Sequence, residues 1–351
     1  MEQSKVSIII VNWNGKHLLK ECLSSVEKQD YDNFNIIFVD NGSKDKSVEF
    51  VRENFLDVNI IELKENTGFA KGNNIGMHKA FDDLEVEYIA ILNTDAMVES
   101  QWLSEMMTLI DNDDKVGSVA PKIKKYYKRN IIDSIGNAIH LDGGGVSNHI
   151  NKVDNGQYNS IKEVFGPSGC AALYSREMLE DIQMGDDFFD DDFFAYFEDI
   201  DLNWRARLRG WKSLFASNAV VYHKHSESVG LYSPFKAFYT NRNRYFVIIK
   251  NYSLFLFPKA ILYLFLGYFY SVFSIAGNKG PSARLLERSG FFEVVKIVIR
   301  GWIDIIKYLP AMFKKRSYIM KNKKISNKEV KKFTGKYVVN LKEIMYSEHI
   351  K

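Results

Sequence analysis

At 351 residues the chain has room for one large α/β unit with an appendage, or for two modest domains. A composition of 46% hydrophobic and 14% aromatic residues, with only 6 prolines, excludes disorder over most of its length and confines that option to the lysine-rich end. The net charge of +3 conceals a division: residues 231–351 hold 23 Lys/Arg against 6 Asp/Glu, and residues 1–230 hold 24 against 38, an acidic body followed by a basic tail suited to an anionic surface.

In chain order, near-continuous apolar runs predict strands at residues 6–11, 36–39, 58–63, 88–92 and 116–120. Helical periodicity fills the gaps at 16–28, 47–55, 71–81 and 101–110, with Ser43 and Ser100 placed as N-caps. This alternation is the βαβ rhythm of a mostly parallel sheet covered by helices on both faces, in which ligands bind beyond the carboxyl ends of the strands. Residues 121–165 are less regular, and Gly143-Gly144-Gly145 marks a turn. A strand is expected at 171–174, then a helix from Asp199 with Ile200, Trp204, Leu208 and Trp211 on one stripe, then a strand pair at 214–216 and 219–222. The first strand begins almost at the N-terminus without a signal-peptide pattern, so the catalytic body is expected in the cytoplasm. Cys22 and Cys170 are far apart and lack CxxC spacing, which speaks against a disulfide framework or a cysteine metal site.

Beyond residue 231 the character changes. Residues 260–276 are a charge-free run of 17, rich in Leu, Phe and Tyr, followed by an apolar-basic pattern at 291–313 and a basic tail at 314–342. The run is slightly short for a spanning helix. Interfacial helices with basic flanks fit better, on the inner face of the cytoplasmic membrane. A core or dimer helix is the competing reading, which leaves a homo-oligomer open. No nucleic-acid motif accompanies the charge, so nucleic acid is not expected as a partner.

Asn12, Asp40 and the segment Asn93-Thr94-Asp95 each follow a predicted strand and therefore open onto one sheet edge. Such residues also end strands simply because they favour turns. The segment Asn66-Thr67-Gly68-Phe69-Ala70-Lys71-Gly72-Asn73 is neither a P-loop nor a GxGxxG, yet its amides at a helix start suit phosphate. Asp95 suits a hard divalent cation, Mg²⁺ or Mn²⁺. Farther on, Glu198, Asp199 and Asp201 interrupt an aromatic run, where a carboxylate is costly unless paired or functional. His223 and His225 alternate onto one face, as metal ligands or as core histidines, with His225 the less favoured ligand.

The motifs Val6-Ser7-Ile8-Ile9-Ile10-Val11-Asn12-Trp13-Asn14, Val39-Asp40-Asn41-Gly42-Ser43, Asn66-Thr67-Gly68-Phe69-Ala70, Leu92-Asn93-Thr94-Asp95 and Phe189 through Asp199 occur in order over about residues 5–250. They resemble the family 2 glycosyltransferases of GT-A fold, and among them the rhamnosyltransferase-like group. The resemblance implies a catalytic domain, taken as 1–230 with a nucleotide half at 1–120 and an acceptor half at 121–230, and the basic, aromatic-rich composition sets off a helical, membrane-associating region at 231–351. It implies an inverting transfer from a nucleotide-diphosphate sugar, dTDP-rhamnose first and a UDP-hexose next, to a glycan or polyprenyl-diphosphate-linked acceptor. Asp199 would be the base, flanked by Glu198. Asp40 would contact the donor's base, with Asn12, Asn14, Gly68, Lys71, Asn73, Asn93 and Thr94 around the donor. Asp95 and His223 would hold the metal, the histidine opening an H–x–x–x–x–S segment, and Gly169 and Trp204 would line the sugar and acceptor side. Asn93 stands at the first position of the DxD motif and removes one negative charge. A polyprenyl-phosphate glycosyltransferase and a non-catalytic sugar-nucleotide scaffold are the alternatives.

Overall fold

The computed structural model describes residues 3–111, 113–225, 230, 232–278 and 280–339. Strands and helices alternate as the apolar runs dictate: β1 (Lys5–Asn12), α1 (Lys16–Val26), β2 (Phe34–Asp40), α2 (Ser47–Asn54), β3 (Val58–Glu62), α3 (Phe69–Phe81), β4 (Val86–Leu92), β5 (Ala96–Val98) and α4 (Trp102–Ile110). They are followed by β6 (Val116–Lys125), β7 (Lys128–Ile135), β8 (Asn137–Ile139), β9 (Gly145–Ser147), β10 (Glu163–Val164), β11 (Ala171–Ser175), α5 (Arg176–Ile182), α6 (Glu198–Arg209) and β12 (Lys212–His223). The helices α7 (Pro234–Asn251), α8 (Phe257–Ala276), α9 (Gly280–Ser289), α10 (Phe291–Asn322) and α11 (Asn327–Tyr337) come last.

Strands β1 to β4 pair in parallel, which brings Asn12, Asp40 and Leu92 to one edge. Strand β11 runs antiparallel between β4 and β6, within the order β10-β12-β6-β11-β4-β1-β2-β3. Val6, Ile8, Ile9 and Ile10 are all fully buried because helices cover both faces. Leu19, Leu23, Trp102 and Met106 of α1 and α4 fill one side. Met77, Met178 and Leu202 of α3, α5 and α6 fill the other.

Several local expectations are corrected. Lys46 and Gln101, not Ser43 and Ser100, occupy the N-cap positions of α2 and α4. The Ser43 hydroxyl instead joins the loop between β1 and α1, where it accepts from the Asn14 amide at 2.8 Å. The expected strand pair at 214–222 is one strand, β12, whose register against β6 shifts between Ala216 and Val220. Trp211 leaves the stripe of α6, because Gly210 at φ +94° ends the helix and turns the chain. The irregular stretch after residue 120 extends β6 and adds β7 to β10. Gly143 does sit in a turn, at φ +87°, where a Cβ would lie 2.1 Å from the Arg244 carbonyl oxygen.

Helix α6 is buried on nearly every side, although three acids and three arginines stand among its 12 residues. Its inner charges are satisfied internally: Arg205 bonds Asp201 and the carbonyls of Ile182 and Phe188, and Arg207 bonds Glu163 and the Phe165 carbonyl. Its second apolar face, Ile200, Trp204 and Leu208, packs on Phe246, Tyr252, Met312, Ile319 and Val330 from α7, α10, α11 and the turn after α7. The C-terminal helices thus share a core with the sheet-bearing part. Helix α8 with the turn before it, Leu254–Ala276, spans 23 residues, 18 of them in a row with mean hydropathy 1.5, which is long and apolar enough to cross a membrane by length and composition. The charge-free run at 260–276 lies within it, and Lys259 falls in the first turn of the helix. Residues 226–229, with the serine expected to close the histidine segment, and 340–342 of the basic tail lie outside the described residues.

Candidate active site

A cavity of ≈ 430 Å³ opens beyond the carboxyl ends of β1, β2 and β4. Of the residues expected to act, Gly68, Asn93, Thr94, Asp95, Gly169, Glu198, Asp199, His223 and His225 line it together. Asn12, Asn14, Asp40, Lys71, Asn73 and Trp204 are placed elsewhere. Asn12 and Asp40 are buried against one another, with Asn12 Nδ2 donating to Asp40 Oδ1 at 3.0 Å and the Ser43 amide donating to Asp40 Oδ2 at 2.9 Å. Asn14, at φ +52°, accepts from the Lys44 amide. These residues brace the loops, while their neighbours Trp13 and Asn41 reach the cavity. Asn73 donates to the Phe69 carbonyl within α3, and Lys71 stands exposed on the same helix. Trp204, expected on the acceptor side, is instead sealed between Phe165, Tyr252 and Phe333 in the helical core.

Asn41 was not foreseen. Its side-chain oxygen accepts from the Thr67 amide at 2.8 Å and its amide donates to the Gly68 carbonyl at 2.9 Å, which ties the glycine segment to the end of β2. Gly68 itself takes φ +91°, and a Cβ there would lie 2.6 Å from the Phe194 carbonyl oxygen. Only glycine fits that crossing of two backbones.

Asp199 is held from three directions. Oδ2 accepts from the Gly169 amide and from Asn137 Nδ2, both at 2.9 Å, and Oδ1 accepts from the Ile200 amide at 2.8 Å. Burial raises its pKa and these donors oppose the rise. Glu198 beside it is pushed well above the usual carboxylate range by burial and by the charge of Asp199, and its Oε2 has no hydrogen-bond partner. The two adjacent carboxyls thus differ in surroundings: Glu198 has a buried oxygen without a partner, whereas both oxygens of Asp199 accept hydrogen bonds.

Across the cavity lining, Asp95 Oδ1 lies 3.3 Å from His223 Nε2. The other ring nitrogen, Nδ1, bonds Asp133 Oδ2 at 2.7 Å. Strand β12 ends at His223, and His225 reaches the same carboxylate through a left-handed φ of +61° rather than by strand alternation. Asp133 has no counterpart among the sequence expectations, although an acid inside Ile131-Ile132-Asp133-Ser134-Ile135 was the available signal. Asp133, His223 and His225 present ligand atoms within 4.8 Å of one another. Asp133 Oδ1 and His225 Nδ1 are buried 3.3 Å apart as an ion-pair contact without hydrogen-bond geometry, so their ligand capacity toward a divalent cation is only partly used. The Asp133 bond to Nδ1 fixes the ring so that Nε2 faces Asp95, a carboxylate–imidazole relay that would make Nε2 the better ligand once a cation stands between them.

The segment before Asp199 is strained and held. Phe194, Tyr196 and Phe197 have φ of +63°, +68° and +69°, which costs about 1–2 kcal/mol each. Asn243 Nδ2 of α7 donates to the carbonyls of Phe193, Ala195 and Tyr196, and Arg242 donates to those of Asp192 and Phe193. The acidic run also finds its partners here: Asp190 with Lys250 and Lys315, Asp191 with Asn74, Asp192 with Lys315.

The family model described as glycosyl transferase family 2 matches residues 7–183, half of the chain. The chain belongs to glycosyl transferase family 2. This family 2 glycosyltransferase shares the GT-A fold of solved relatives. The Staphylococcus aureus TarS fragment 1–349 is 18% identical, covers 91% of this chain and 88% of its own, and superposes with a TM-score of 0.54. A Pyrobaculum calidifontis mannosyltransferase, solved with GDP-Man and Mn²⁺, is 18% identical over 90% and 87% with a TM-score of 0.51. Among curated proteins, the S. aureus poly-β-1,6-N-acetyl-D-glucosamine synthase is 24% identical over 232 residues, 65% of this chain and 52% of that protein. The Staphylococcus epidermidis teichoic acid poly(glycerol phosphate) polymerase is 30% identical over 122 residues, 34% and 16%. The chain therefore spans about half the length of one relative and a sixth of the other.

Proposed function

We propose that this transferase moves a sugar from a nucleotide-diphosphate donor to a hydroxyl of a glycan or lipid-linked acceptor, by one inverting displacement. The observation that carries the reading is the meeting of Asp95–His223 and Asp199 in one cavity. Asp199 accepts the proton of the attacking hydroxyl, aligned by the Gly169 amide and Asn137. The leaving diphosphate lies toward Asn93, Thr94 and Asp95, beside the glycine segment. Asp95 and His223 would hold a divalent cation, which when bound offsets the charge of that diphosphate. The imidazole makes the set softer than the all-oxygen shell Mg²⁺ prefers, which favours Mn²⁺.

Asp133→Ala is expected to lower Mn²⁺ affinity by roughly 10–100-fold, and Asp95→Ala by more, measured as the Mn²⁺ dependence of UDP binding by calorimetry. Unchanged Mn²⁺ dependence in both variants removes this centre. A UDP-sugar stands ahead of dTDP-rhamnose as donor, because a TarS fragment is solved with UDP and the S. aureus synthase is named for N-acetyl-D-glucosamine. Thermal stabilisation by a nucleotide-sugar panel decides between them. Hydrolysis of the donor without acceptor separates an enzyme from a scaffold.

The helical region supports a place on the cytoplasmic membrane surface. Leu262, Phe265, Phe269 and Phe273 line one exposed stripe of α8, and Ile299, Trp302 and Ile306 are exposed on α10 among basic residues. Deleting residues 254–351 would strip the core around Trp204, so substitutions are the cleaner test. Phe269→Glu with Phe273→Glu should weaken flotation with anionic liposomes at least about tenfold, since each buried Phe contributes roughly 1.5–3 kcal/mol. Equal flotation places the contact elsewhere.

A further inference from the structure

A second cavity, ≈ 420 Å³, lies wholly within the helical region. Its walls are mainly apolar, with Val272 and Ile275 of α8, Leu285 of α9 and Ile297 and Val298 of α10. Gly267 of α8 also borders it, and a Cβ at that position would meet nothing within 4 Å. The glycine therefore leaves open space rather than a close helix contact. On α8, the groove-facing Gly267, Ser271 and Ile275 form a stripe separate from the exposed phenylalanines.

The two cavities meet at α7, where Lys236 and Thr240, one turn apart, line both. Arg244, one turn farther along, is occupied by Asp142 at 2.7 Å. Lys236 differs. Among the described residues no carboxylate lies within ion-pair distance of it, and its ammonium sits 5.7 Å over the face of the Tyr196 ring. Burial lowers its pKa, opposed by the charge of Asp133. A half-buried ammonium with no counter-ion among the described residues, set between an apolar groove and a polar catalytic cavity, is matched by an amphiphile with an anionic head.

We propose that the groove binds the apolar chain of a lipid-carried acceptor, with its phosphate or diphosphate on Lys236 and its sugar hydroxyl extended toward Asp199. The last step rests on the glycosyltransferase reading, whereas the groove and its cation do not. The shared lining of the two cavities at Lys236 and Thr240 and the charge match there single out this occupant from a peptide or a second copy of the chain.

The test uses the full-length protein and three probes below their aggregation limits: farnesyl diphosphate, farnesol and inorganic diphosphate, followed by calorimetry without metal or nucleotide. Farnesyl diphosphate should bind at least about tenfold more tightly than either half-molecule. Gly267→Leu should fill the groove and weaken farnesyl diphosphate and farnesol about tenfold or more, with UDP–Mn²⁺ binding unchanged. Leucine is also the better helix former, so the variant should melt no lower than the parent. Ser271→Leu blocks the same wall should the first variant misfold. Lys236→Ala should erase the advantage of farnesyl diphosphate over farnesol, and Lys236→Arg should keep it. Full binding by both groove-filled variants overturns the proposal, as does inorganic diphosphate binding as tightly as farnesyl diphosphate. A concentration-dependent dimer abolished by Gly267→Leu assigns the groove to a second copy instead. Failure of UDP–Mn²⁺ binding in the parent protein sinks the catalytic reading while leaving the groove result standing.

Discussion

Asp199→Asn is expected to lower sugar transfer by about 10²–10⁴-fold, the range for removing a positioned general base. The amide cannot take the acceptor proton, although its oxygen can still accept from the Gly169 amide and Asn137. Donor binding should therefore persist, because the nucleotide side of the cavity is untouched. Glu198→Gln supplies the contrast. Burial and the charge of Asp199 push the Glu198 pKa well above the usual carboxylate range, so glutamine approximates its protonated form and shape. Transfer should fall by less than about tenfold in that variant, a loss small beside that of a missing base. Comparing kcat for both variants with one donor decides the assignment. Near-normal turnover in Asp199→Asn, or a deeper loss in Glu198→Gln, would reverse it.

Lys250→Met should cost about 3–5 kcal/mol of stability, the penalty for stripping one partner from a buried ion pair. Lys250 is fully buried between Asp190 and Asp201, both also fully buried. Burial alone would raise the Asp190 pKa, yet Lys250 and Lys315 hold it well below the carboxylate range. With Lys250 gone, Asp201 keeps Arg205 at 2.9 Å and Asp190 keeps the more exposed Lys315. Restoring charge balance with Asp190→Asn on the Lys250→Met background should recover part of the loss. A fall in the urea midpoint at constant slope checks the magnitude. The cluster also anchors the start of the strained segment that leads into Asp199. Turnover per folded molecule should therefore fall in Lys250→Met, which a purely global destabilisation would not produce. A loss under about 1 kcal/mol would show that water or a rearranged partner neutralises the site.

Much of the catalytic half is legible in the sequence. Continuous Val/Ile runs specify buried strands by composition alone, and the intervening 3.6-residue periodicity specifies the helices that cover them. The parallel arrangement then carries Asn93-Thr94-Asp95 to the ligand edge as a matter of topology. Asp95 is readable for a related reason, since it follows the end of a strand, whereas Gly169, the base role of Asp199 and the ligand role of His223 are legible only through the family resemblance of the motifs around them. The braces are not. Asn41, Asp133 and Asn137 act through partners 26, 90 and 62 residues away, and no local pattern encodes such a pairing. Trp204 falls on the wrong side of the expectation because a helical stripe states which residues share a face, not what the face meets.

Local pattern therefore suffices for the alternating α/β architecture and for Asp95 as a metal candidate, since these depend on short-range spacing, whereas the enzyme family and the base role of Asp199 rest on the ordered motifs that carry the family resemblance. Three-dimensional packing was needed to show that α6, whose polar composition resembles a surface helix, is central. Its arginines and Asp201 are satisfied by carbonyls and polar groups supplied from α5, α7 and the segment around β10. Packing likewise shows that the basic C-terminal region is not a detached tail, because its apolar faces complete the core around Trp204 and its lysines neutralise the acidic run. Buried charge is tolerated only when a partner arrives from elsewhere in the chain, and that arrival is a property of the fold.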